Sequence, residues 1–130
     1  MLFYNDYKKK RVLKEKLKRI FSRFIRLRDL CICFTCGVHL PIEEMDAGHL
    51  EHGVLDFDEN NLHCQCRKCN QARGGDREIY IANFVSMYGE EAYEDLRARA
   101  MMEKGKGIKY EMKELNDLFQ KYKKKVKELE

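Results

Sequence analysis

Two short cysteine motifs constrain this chain more than anything else in it. Cys33-Phe-Thr-Cys36 and Cys66-Arg-Lys-Cys69 are C-x2-C pairs with 29 residues between them. Two intervening residues let both thiolates of a tight turn point at one ion, and Gly37 suits the positive φ that such a knuckle needs. Two knuckles supply four soft thiolates, a closed tetrahedral set suited to one structural Zn2+ per chain. Four buried thiols without metal is the plainer alternative. Cys31 and Cys64 each stand two residues before a knuckle. That spacing is strand-like, so both read as small buried apolar residues; an alternative ligand choice or an iron–sulfur cluster stays open.

A metal staple matters because the chain is small. Its 130 residues make one domain with helical extensions, and 44% hydrophobic content with a single proline favours a helix-rich fold. With 37% of residues charged, the core is modest and needs reinforcement. The opening MLFYNDYKKKR holds no apolar stretch before a cleavage site, and no later run could span a bilayer. The expectation is a cytoplasmic protein without a membrane partner, where paired cysteines are metal ligands rather than disulfides.

The periodicity predicts an α+β, mostly helical fold. Residues 5–30 form an amphipathic helix with Leu13, Leu17, Ile20, Phe21, Phe24 and Leu27 on one stripe. Residues 31–75 break that pattern and gather cysteine, histidine, asparagine and glycine around the knuckles. Within them Met45–Glu51 and Asn61–Gln65 read as short partner strands. Asp76 is a candidate N-cap for a helix to Tyr88 that buries Ile79, Phe84, Val85 and Tyr88. A further helix runs from about Glu90 to Met102, the GKG at 105–107 is a hinge, and residues 108–130 form a last amphipathic helix. The organisation is thus a basic N-terminal helix (1–30), a metal-bound centre (31–75) and a helical C-terminal region (76–130).

Charge is uneven. The net value is only +4, but residues 1–30 carry eleven Lys/Arg against three acids, and residues 31–76 carry three against eight. A basic arm beside an acidic centre fits a protein that holds nucleic acid and places a cation among its phosphates. The candidate phosphate contacts are Lys8, Lys9, Lys10, Arg11, Lys14, Lys18, Arg19, Arg23, Arg26 and Arg28, with Arg67, Lys68 and Arg73 beside the second knuckle. A merely solvated amphipathic helix accounts for the charge equally well.

Between and after the knuckles lie Asp46-Ala-Gly-His49, then Asn61-Leu-His63, then Asn70 directly after Cys69. Each alone is ordinary: a surface histidine, a turn asparagine, a helix cap. Their order relative to the cysteines resembles the HNH nucleases, which have a ββα-metal centre. There the histidine lies between the C-x2-C pairs, an asparagine stands five residues before the third cysteine, and a histidine or asparagine follows the fourth. Asp46-Ala-Gly-His49, Phe57-Asp-Glu-Asn60-Asn61-Leu-His63-Cys-Gln65-Cys66 and Cys69-Asn70, then Gly75, Tyr80 and Tyr88-Gly89, are similar to the NinG (Rap) family of phage recombination proteins, and more distantly to phage endonuclease VII. The resemblance covers roughly residues 30–100.

The resemblance implies a zinc-stapled ββα-metal centre flanked by long helices, and cleavage of DNA to 5′-phosphate and 3′-hydroxyl ends. His49 would be the general base, Asn61 would brace the loop after it, and the Asn70 amide oxygen would hold a catalytic Mg2+ or Mn2+. Gly48 stands where many HNH enzymes carry a second metal ligand, so His63 or Asp46 is the candidate, His63 ahead. His52 reads as a loop residue near phosphate. The expected substrate is a branched recombination intermediate such as a Holliday junction, cut by a homodimer whose subunits meet through the surplus apolar stripes of 5–30 and 108–130; the alternative is that these two stripes pack against each other within one chain. The alternatives are a plain nicking or homing-type HNH enzyme and a non-catalytic zinc module.

Overall fold

A computed structural model describes residues 2–107 and 109–130. Ile108, the expected start of the last helix, lies outside the described residues. The elements are α1 (Leu2–Arg28), a 3-10 turn (Ile42–Glu44), β1 (Met45–His49), β2 (Leu62–Cys66), a short π-helical turn (Lys68–Ala72), α2 (Arg77–Tyr88), α3 (Glu90–Lys106) and α4 (Met112–Leu129). The fold is α+β and mostly helical, with one two-stranded antiparallel sheet. Among the described residues, no helix is long and apolar enough to cross a membrane.

Three small cores share the work of burial. In the first, Leu17, Phe21, Phe24 and Ile25 of α1 meet Leu115, Tyr122 and Val126 of α4, with Leu62 of β2 beneath them. The Phe21 ring stands edge-on to Tyr122 at 4.7 Å and to Phe57 at 5.8 Å. Each large side chain buried here contributes about 1.5–3 kcal/mol of hydrophobic free energy. The stripes of α1 and α4 therefore close on each other within one chain. That contact takes up the apolar surface on which the expected subunit interface rested.

The second core joins α2 and α3 through Tyr80, Phe84, Leu96 and Ala100, over Leu50, Val54 and Leu55 of the loop that follows β1. The third is the cysteine centre itself, Cys33, Cys64, Cys66 and Cys69 with Met45. The inward face of α2 differs from the expected one. Tyr80 and Phe84 are buried, whereas Ile79 and Tyr88 are more than 40% exposed. The helix must cover both the hairpin and α3, and Tyr80, at the overlap, carries a hydroxyl that the hairpin satisfies. Asp76 is not a side-chain cap: it adopts φ 52°, and its carboxylate faces Arg73 at 3.7 Å. Helix α3 runs through Gly105, and the break falls at Gly107, whose φ is 73°.

Candidate functional site

The hairpin supports everything of chemical interest. In its antiparallel register, Asp46 faces Gln65, Gly48 faces His63 and His49 faces Leu62. Strand alternation sends Ala47 and Leu62 toward α1, where they join the first core. The opposite face, carrying Asp46, Gly48, His63 and Gln65, lies under the π-helical turn and α2.

The four knuckle cysteines converge at one edge of this hairpin. One sulfur from each of Cys33, Cys36, Cys66 and Cys69 lies within 4.8 Å of every other. The Cys36 and Cys66 sulfurs are 3.8 Å apart, which matches the edge of a tetrahedron with Zn–S bonds of about 2.3 Å. Burial raises the Cys33 thiol, but the Cys36 amide at 3.5 Å and the Thr35 hydroxyl at 3.3 Å outweigh it and bring it to about 6. Burial and the neighbouring thiols push Cys69 up to about 12, a cost that a bound dication removes. The donor set fits one zinc ion. Cys64 is fully buried with its thiol also pushed up to about 12 by burial, Cys31 is half-buried, and neither belongs to the cluster.

His49 ends β1 with its ring partly exposed, and its Nε2 stands 3.4 Å from the Asp56 carboxylate. The His49 contact holds Asp56 below its ordinary carboxylate range, against the opposing effect of burial. A neutral imidazole that donates from Nε2 carries its lone pair on Nδ1. The pair borders a 200 Å³ cleft lined also by Lys18, Phe21, Ser22, Ala47 and Leu62. The His52 ring lies 6.1 Å from His49, beside Gly75.

Asn61 is fully buried and grips the loop after His49. Its Oδ1 accepts from the Glu51 amide at 2.8 Å, and its Nδ2 donates to the carbonyls of Glu51, Val54 and Leu55 at 3.0–3.2 Å. Asn70 points back at β1, with Nδ2 donating to Asp46 Oδ2 at 3.0 Å. Gln71 donates to the same oxygen at 2.9 Å, and Arg67 approaches Asp46 Oδ1 at 3.7 Å. Asp46 thus orients Asn70.

His63 sits elsewhere in chemical terms. It is 1% exposed, with Nδ1 2.9 Å from the Tyr80 hydroxyl and Nε2 3.1 Å from that of Tyr88. Tyr80 donates its own proton to Gly48 O at 2.8 Å, so His63 Nδ1–H donates to Tyr80 and Nε2 accepts from Tyr88. No lone pair is left for a cation. Burial, then the nearby Arg28 charge, lower His63 to about 4. Its preference as second ligand over Asp46 is not supported by this geometry, and the ring is a packing element stacked on Phe34 at 4.1 Å.

The basic candidates divide. Lys8, Lys9, Arg11, Lys18, Arg19, Arg67, Lys68 and Arg73 are exposed, and Lys10 partly so. Lys14 lies over the Tyr110 ring, and Arg23 pairs with Glu130 at 2.7 Å. Arg26 and Arg28 are structural instead. Arg26 donates to Ile42 O, and Arg28 to the carbonyls of Glu59 and Leu62 and to Asp29. The α1 C-terminus meets the centre there, and their guanidinium groups satisfy loop carbonyls. Asp56 and Gln71 carry no spacing signal in the sequence, and Gln65 stands there only within the family pattern, with no role of its own.

Fold and site define a class: a small, mostly helical α+β protein built around a cysteine cage able to hold zinc. Residues 4–130 match the family model described as Bacteriophage Lambda NinG protein, and the chain belongs to the NinG family. It is 34% identical over 115 residues to protein ninG of Escherichia phage lambda, covering 80% of this chain and 56% of that protein. The NinG of Salmonella phage P22 is 33% identical over 115 residues (80% and 56%), and that of Escherichia phage 933W is 29% identical over 120 residues (88% and 57%). The chain therefore spans about half the length of the curated relatives it matches. No solved structure matches it.

Proposed function

We propose that this protein is a metal-dependent DNA endonuclease of the HNH kind, acting on branched recombination intermediates. The observation that carries the reading is local. His49, paired with Asp56, directly follows Gly48 on β1, Asn70, oriented by Asp46, has its Oδ1 3.1 Å from where a Gly48 Cβ would lie, and Asn61 clamps the loop that follows His49. His49 Nδ1 would take a proton from a water attacking the scissile phosphate, and the Asp56 carboxylate would stabilise the imidazolium that forms. A hard divalent cation, Mg2+ or Mn2+, held by the Asn70 amide oxygen would neutralise charge on the phosphate and on the leaving 3′-oxygen. The exposed Lys and Arg of α1 would bind DNA backbone without reading bases.

Resolving a four-way junction takes two cuts in opposed strands, so two copies of this one-site chain would act together. Their contact would use surface other than the α1 and α4 stripes. The test is cleavage of four-way, flap and linear DNA of equal length by purified protein with Mg2+ or Mn2+. Four-way DNA should be cut in preference, and His49→Ala should abolish cutting while zinc content and DNA affinity stay unchanged. Equal cutting of linear duplex would favour a plain nicking enzyme. No cutting of any substrate with either metal would sink the catalytic reading.

A further inference from the structure

Gln65 presents an unusual pair of facts. It is completely buried, and its Oε1 has no hydrogen-bond partner in the protein, the one buried side-chain polar atom so placed among the described residues. An unpaired buried carbonyl costs about 1–3 kcal/mol, so a retained one calls for a partner. Its own amide nitrogen cannot be exchanged for the oxygen, because Nε2 donates to Gly75 O at 2.9 Å and to Thr35 Oγ1 at 3.3 Å.

The oxygen points into the space of a missing side chain. A Cβ at position 48 would lie 1.8 Å from Gln65 Oε1 and 3.1 Å from Asn70 Oδ1. Gly48 is therefore the residue that admits both carboxamide oxygens to one spot. The Asn70 amide is oriented the same way, its nitrogen on Asp46 and its oxygen free to face Gly48. Both oxygens lie within 3.1 Å of that one empty Cβ position, which brings them near enough for a single hard cation to be shared between them.

We propose that Gln65 Oε1 and Asn70 Oδ1 together bind one hard divalent cation, with Gln65 supplying from β2 the ligand that Gly48 lacks on β1. This deepens the nuclease reading, and rests on it for calling the ion catalytic. Asp46, one step out, contributes negative charge and aim. The cysteine cage takes part as well, since a Cys33 thiolate accepting from the Thr35 hydroxyl leaves that oxygen to accept from Gln65 Nε2. Two neutral oxygens bind weakly alone, so the ion keeps waters that phosphate oxygens replace.

The test uses zinc-loaded full chain titrated with Mn2+, following the free-ion signal by electron paramagnetic resonance. Wild type should show one saturable site. Gln65→Met, which keeps volume and removes the oxygen, should weaken it about tenfold or more, with zinc content and circular dichroism unchanged. Gly48→Ala should do the same by driving a methyl into Oε1. Gly48→Asp combined with Gln65→Ala should restore binding, because a carboxylate then fills the emptied place; this pair also decides the matter if Gln65→Met loses its zinc. Unchanged Mn2+ affinity in folded Gln65→Met, or no saturable site in wild type, would overturn the proposal and leave Oε1 holding a buried water. If Asn70→Ala weakens binding while Gln65→Met does not, the role of Asn70 stands and only that of Gln65 falls.

Discussion

Asn61, just before β2, and His63, within it, are both buried, and they show what a polar residue can be for. Asn61 makes four hydrogen bonds to the backbone of residues 51–55, so Asn61→Ala leaves one amide and three carbonyls to find new partners. It should cost about 3 kcal/mol or more, measured by urea unfolding. Asn61→Asp should fare little better, since a carboxylate cannot donate to the carbonyls of Glu51, Val54 and Leu55. His63 yields a pH prediction. It is neutral in the folded protein and titrates at about 4, against 6.5 unfolded. Between those values the unfolded chain binds more protons, so stability is fully present above pH 6.5 and falls as pH drops toward 4. The loss approaches roughly 3 kcal/mol. Urea unfolding at pH 7 and pH 5 should show a steeper decline for wild type than for His63→Phe; parallel declines would show that another group titrates. In sequence, a histidine ligand and a buried histidine look alike. Only the two tyrosines brought in by α2 distinguish them.

At the level of elements, the helices were legible and their partners were not. Spacing of Leu17, Phe21 and Phe24 marks a stripe, but nothing in a stripe says whether a second chain or a distant segment covers it. The knuckles stand apart, because a C-x2-C turn names its own partner. Removing zinc should release the centre without melting the helical pair. A strong chelator should expose the four thiols to titration and disorder β1 and β2, while α1 and α4, joined by Phe21, Phe24 and Tyr122, keep much of their helical signal. A chelated protein with intact hairpin amide protection would show that the cysteines hold the centre without metal.

Across the whole molecule, the basic surface makes the remaining prediction. Replacing Lys8, Lys9 and Arg11 with serine should weaken binding to any DNA and lower the log–log salt slope by about one per lost phosphate contact. Arg28→Ala should behave differently, destabilising the fold because its guanidinium spans Asp29 and the carbonyls of Glu59 and Leu62. An unchanged slope in the triple variant would make α1 a solvated face with no role in DNA binding. The cysteine cage, the hairpin that carries His49 and the helical periods were legible in the residues alone, because each depends on residues close in the chain or on a spacing with one chemical meaning. Tertiary structure alone decided that α1 and α4 close on each other, that Asp56 meets His49, that two tyrosines occupy His63, and that Gln65 reaches into the space of Gly48. Those outcomes depend on which surfaces meet, and packing between distant segments leaves no periodic mark on either one.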